Sequence, residues 1–250
     1  MPSNPTDLLD RRNAPYSVEF FDLQLRFAQR VAELSGRPFE ETVGFYTNLY
    51  VRLAMGQRFD ARNADWQQYL GGLMDARDHA AWTHAVHLQR LHLRSGPVPT
   101  RSEGCFSYEL VEADRVRLHF EAVGAKAPLS AESGGERLKE LAKLFAHLKA
   151  SSSEGMRVTG ASWLYNLDCY RRLFPGRYLA SLRIVERPYQ RMPLWGQLLM
   201  RDRTVRSGAG SRFLAETARA ESLLELARCF PLGVLATTVP ATWFYDHLGV

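Results

Sequence analysis

With 250 residues, 46% of them apolar and 24% charged, the chain has globular composition and room for one large domain or two small ones, which excludes extended disorder. The formal charge of +5, from 32 basic and 27 acidic residues, is mostly arginine scattered along the sequence. Without Lys/Arg blocks it argues against a nucleic-acid partner and for a weak attraction to small anions. Three widely spaced cysteines argue against a disulfide framework. The start carries no signal-like apolar core, and no apolar run nears the roughly 20 residues of a membrane helix, so a cytoplasmic protein without a membrane partner is expected.

In chain order, residues 1–16 read as a flexible arm with Pro2, Pro5 and Pro15. Ser17 then caps a helix whose Phe20, Leu23, Phe27, Val31 and Leu34 recur at helical spacing, and Gly36 stops it. Pro38, Glu40 and Glu41 open a second helix with Val43, Tyr46, Leu49, Tyr50 and Leu53 inward. A third is expected from Asp65 to about His92, kinked near Gly71-Gly72, which gives a helical domain over 17–95.

The stretch "SGPVPTRSEG" (95–104) reads as a boundary. Beyond it Phe106, Tyr108, Leu110 and then Val116, Leu118, Phe120 alternate with polar partners, as a hairpin with one buried face does. A helix follows over about 132–150, opened by Ser133-Gly134-Gly135. Next come a strand near 156–164, a short helix near 167–174, and strands near 178–186 and 195–200. A helix over 211–229, a buried strand at 232–238 and a last helix at 240–249 complete the reading. The fold class is α+β: an amino-terminal helical bundle, then a mixed α/β domain over 105–250 around one sheet.

Between strand and helix, "VRSGAGSRFLAETARA" (205–220) sets Gly208, Ala209, Gly210 and Ser211 between Arg206 and Arg212. A glycine turn that opens a helix leaves unpaired N–H groups and the positive end of the helix dipole, a setting that binds phosphate. Both arginines add charge-assisted contacts in that reading. On the bland reading Gly208 and Gly210 make a turn, Ser211 caps a helix, and the arginines face water.

The order of strand, basic glycine turn, long helix, "LGVLATT" strand and "PATWFYDHLG" helix resembles the acyl-CoA-binding half of the GNAT acyltransferase superfamily over about 60 residues. Gly208 and Gly210 match the glycines of that family's pyrophosphate turn, and Ala241, Phe244, Tyr245, Leu248 and Gly249 match its terminal segment. A second likeness, to a segment of certain bacterial GNAT-like acyltransferase domains, lies at 105–187, where Ser162, Trp163 and Leu164 match the first three residues of a Ser-Trp-Leu-Leu strand. The resemblance implies acetyl-CoA or another acyl-CoA as co-substrate and a small-molecule or peptide acceptor with an amine or hydroxyl. It implies a strand splayed to admit the pantetheine arm, and Tyr245 as the acid that protonates the departing thiolate. Val205 stands where the family has Arg or Gln, and a single valine follows Gly249.

His119 and Glu121 alternate with the buried hairpin positions and are the candidate bases. His84 and His87 share a helix face, but the pattern is not His-Glu-x-x-His, so no metal is expected. "GASWL" lacks the Gly-x-Ser-x-Gly pattern of serine hydrolases. The competing class is a catalytically degenerate binding or assembly protein. Its aromatic-rich first helices (Phe20, Phe21, Phe27, Phe45, Tyr46, Tyr50) would meet a protein partner or a second copy.

Overall fold

The computed structural model describes residues 14–56, 58–93, 99–122, 127–152, 155–185 and 193–250. In chain order, helices α1 (Val18–Ser35), α2 (Phe39–Tyr46), α3 (Leu49–Arg52), α4 (Ala64–Asp75) and α5 (His79–Gln89) precede strands β1 (Arg101–Glu103), β2 (Phe106–Glu112) and β3 (Arg115–Phe120). Helix α6 (Gly134–Ser151), β4 (Arg157–Ser162), α7 (Asp168–Arg171), α8 (Gly176–Ala180) and β5 (Arg183–Ile184) follow. Last come α9 (Ala209–Arg219), α10 (Leu223–Arg228), β6 (Leu235–Pro240) and α11 (Thr242–Leu248). The protein is α+β, with helices first and one six-stranded mixed sheet.

Its division is not the consecutive one expected. Residues 14–93 with 193–232 form one compact unit, and 99–185 with 233–250 form the other. The segment 193–232, read as part of the α/β domain, therefore belongs with the amino-terminal helices. Of the expected arm, residues 1–13 lie outside the described residues, and Tyr16 is buried.

In the helical unit α1 is the centre. The Ser17 hydroxyl accepts the Phe20 N–H at 3.3 Å, and Gly36 closes the helix at φ 68°, its N–H donating to Ala32 O. Phe20, Phe21, Leu23, Phe27 and Val31 are fully buried along it. The third expected helix breaks at Ala76–Asp78, not at the glycines, because the Asp78 carboxylate caps the Ala81 N–H and starts α5 afresh. Gly72 instead makes room for the Trp82 ring, which a Cβ would strike. The return segment packs on α1 through an aromatic knot: Phe27 lies 5.4 Å from Trp195, 5.8 Å from Phe213 and 5.4 Å from Phe230. The Arg30 guanidinium donates to Ala220 O at 2.7 Å. Residues expected as a strand at 195–200 form a 3-10 turn (Pro193–Leu198) and one bridge, Leu199 to Val205. The expected helix 211–229 is two, because Ser222 caps the second by accepting from Glu225 N–H.

In the α/β unit the sheet order is β1-β2-β3-β4-β6-β5. Every neighbouring pair is antiparallel except β3 and β4, which are parallel and joined by α6. One face carries Phe106, Tyr108, Val116, Leu118, Val158 and Val239. They pack on Leu141, Leu144, Phe145 and Leu148 of α6 and on Phe244 of α11, which stacks on Phe145 at 4.2 Å. Strand β1 forms inside the stretch expected as a linker. The strand expected over 178–186 shrinks to β5 because Pro175-Gly176 starts α8.

Candidate functional site

The expected phosphate turn does not present an open anion cradle. Gly208 adopts φ 71° to start α9, and Ala209 N–H donates to Arg206 O. Gly210 is buried, and a Cβ there would meet Glu19 Oε1 at 2.6 Å and Val205 Cγ1 at 3.1 Å. A carboxylate thus lies against the very glycine meant to admit a phosphate. Arg206 Nε donates to Leu199 O at 3.0 Å, which ties it to its own turn, while Ser211 and Arg212 are exposed.

Tyr245 belongs to the other compact unit from this turn. Its ring meets Phe145 edge-on at 6.4 Å, with Lys149 Nζ 5.6 Å from the ring centroid. Those neighbours sit on the carboxy-terminal half of α6. Partial burial pushes the phenol above its ordinary value, opposed by a hydrogen bond with Ser152.

The α/β unit builds a different site at the opposite end of α6. Parallel pairing of β3 with β4 runs Arg115–Arg157, Val116–Val158, Arg117–Thr159 and then stops, although each strand continues for three residues. On their outer edges both remain paired to the last, β3 as far as Phe120 to Phe106 and β4 as far as Ser162 to Leu235. The sheet therefore splays between 118–120 and 160–162, and the inner edges carry backbone groups without a strand partner.

Helix α6 starts at that end. The Arg137 guanidinium donates to Cys105 Sγ at 2.7 Å and pairs with Glu140 at 2.7 Å, and Cys105 O accepts the Glu121 N–H just past β3. Ser133 precedes the helix without a side-chain cap bond to it, and a Cβ on Gly135 would meet nothing within 4 Å. Arg172 follows α7, donates to Ser130 O at 3.0 Å, and lies 3.8 Å from the Cβ position of Gly134. A helix N-terminus with an exposed guanidinium is thus set at the splayed end of the sheet, with the Gly134 N–H turned to Ala131 O at 3.3 Å.

Of the expected bases, His119 stands on β3 within the splayed stretch, its Nε2 3.3 Å from Glu109 Oε1 across the hairpin. It projects to the face that carries Arg117, opposite Leu118 and Phe120. Glu121 follows the strand, held by its own N–H. The core side of the splay is floored by phenols. Tyr165 and Tyr178 share a 2.5 Å hydrogen bond, and their hydroxyls abut Gly160, the first β4 residue past the paired stretch. Burial pushes both phenols above their ordinary value, so both are neutral donors at pH 7. Glu109, Arg172, Tyr165 and Tyr178 lie around this candidate site and were not among the residues singled out from the sequence. "SGGE" (133–136), a glycine pair opening a helix after the hairpin, is the sequence signal that marks this helix terminus.

His87 is buried and structural. Its Nε2 accepts the Tyr16 N–H at 3.2 Å and its Nδ1 faces Arg52 O at 3.0 Å, which fixes the proton on Nδ1. Among the described residues no three metal-ligand side chains lie together, and no helix is long and apolar enough to cross a membrane. No family model, curated protein or solved structure matches the chain.

Proposed function

We propose that the α/β unit moves an acyl group from an acyl-CoA to an amine or hydroxyl of a small molecule or peptide. The observation that carries this reading is the splay of the one parallel strand pair at the N-terminus of its own crossover helix. Ligands of open α/β sheets bind beyond the carboxyl ends of parallel strands, and phosphates bind at helix N-termini. An extended diamide arm such as pantetheine would satisfy the unpaired inner edges of 118–120 and 160–162 as an added strand does. The diphosphate would meet the Gly135 N–H and the Arg172 guanidinium.

In this reading the thioester lies in the gap, beside His119. His119, beside Glu109, takes the proton from the acceptor as it attacks the carbonyl carbon. The carbon–sulfur bond breaks, and the departing thiolate takes back the proton that His119 has removed from the acceptor. Tyr245 and the 206–212 turn have no part in it.

Saturating coenzyme A is expected to raise the melting temperature of the full chain. Arg172→Ala and Gly135→Asp should weaken coenzyme A by tenfold or more, while Gly208→Asp leaves it unchanged. Calorimetry showing no binding at millimolar coenzyme A would end this reading. A non-catalytic binding protein is the second reading, favoured by Glu132 and Glu136, two carboxylates beside the terminus that a diphosphate would need.

A further inference from the structure

The helical unit carries a second concave surface, independent of the acyl-transfer reading. Between α2, α4 and the residues that precede α4 lies a groove of about 570 Å³, inside the size range of small-molecule sites. Its floor is apolar and largely aromatic: Phe45, Phe59, Trp66, Leu70 and the half-exposed Met74. The rings are locked together, with Phe45 tilted against Phe59 at 5.6 Å and Phe59 edge to face with Trp66 at 5.7 Å. Such packing keeps the walls from closing over the groove.

The rim decides the charge of the occupant. Among the described residues that line the groove, Glu40 and Glu41 alone are charged, and neither lysine, arginine nor histidine is among them. Glu41 is engaged by exposed Arg37 at 2.9 Å. Glu40 has no basic partner among the described residues, so its carboxylate is the group available to a ligand. Aromatic faces beside a carboxylate attract an organic cation twice over, by cation–π and by direct charge attraction. An anionic amphiphile would meet only repulsion there.

Gly71 offers a clean probe. It lines the groove from the exposed side of α4, and a Cβ there would meet nothing within 4 Å. A larger side chain therefore fills the groove without disturbing the helix.

We propose that this groove binds an organic ammonium ion bearing an apolar chain or ring, with the apolar part over Phe45, Phe59 and Met74 and the cation at Glu40. The test is calorimetric titration of the full chain with octyltrimethylammonium, below its micelle concentration, against octanoate and octanol. One cation is expected to bind per chain, with octanoate at least tenfold weaker. Glu40→Gln should weaken the cation about fivefold. Gly71→Leu should abolish binding while the melting temperature stays level or rises. Equal binding of octanoate would overturn the proposal, as would an undiminished titration of Gly71→Leu. So would light scattering that finds a dimer which Gly71→Leu turns into a monomer, since the groove would then belong to a second copy.

Discussion

At the scale of single residues, Gly160 is the point where the splayed strand and the buried phenols meet. A methyl group there would fall inside the hydroxyls of Tyr165 and Tyr178. Gly160→Ala is expected to destabilise the protein by about 1–3 kcal/mol. Adding Tyr178→Phe, which removes one of the two clashing oxygens, should recover part of that loss, and chemical denaturation of the two single variants and the double measures the coupling. His119 answers a different question. If it is the base, His119→Gln lowers kcat/KM for acyl transfer by about 10²–10⁴. The melting temperature should hardly move, because the side chain is part-exposed and its close polar contact is Glu109. A steady-state assay of thiol release reads the first, and a thermal scan the second. His119 was legible in the sequence because strand alternation sets it off from Leu118 and Phe120. Its partner Glu109 was not, since only the register of the hairpin brings residues ten apart within 3.3 Å.

At the scale of elements, the two adjacent glycines of α4 make opposite predictions. Both looked like a kink in the sequence, yet both sit inside an unbroken helix. Gly71 faces open space, so Gly71→Ala should stabilise by about 1 kcal/mol through helix propensity alone. Gly72 faces the Trp82 ring, so Gly72→Ala should destabilise by about 1–3 kcal/mol despite the same propensity gain. Thermal melts should therefore move a few degrees in opposite directions. The caps Ser17 and Gly36 were readable because a helix end is a local event, decided by hydrogen bonds within a few residues. The glycine turn at 208–210 misled for the same reason. Locally it suits a phosphate, and only the packing of α1 against α9 brings Glu19 onto Gly210.

Across the whole molecule, both units bury neutral phenols. Burial raises Tyr69 in the helical unit and Tyr165, Tyr170 and Tyr178 in the α/β unit above the ordinary phenol value near 10. A group held protonated in the fold contributes its stability fully below the unfolded value and loses it as pH climbs toward the folded one. The melting temperature is thus expected to fall progressively above about pH 10, and phenolate absorbance from these four should appear only together with unfolding. Phenolate signal from all ten tyrosines in a chain that is still folded would contradict this.

Composition, periodicity and caps determined by themselves that the chain is α+β, with helices first and an alternating hairpin after residue 105. Those are short-range consequences of side-chain spacing and backbone hydrogen bonding. Tertiary structure alone decided that 193–232 returns to the helical unit, that β3 and β4 run parallel and then part, and that Tyr165 and Tyr178 meet beneath Gly160. Such choices rest on contacts between segments far apart in the chain, whose energy comes from packing that no local window of sequence contains.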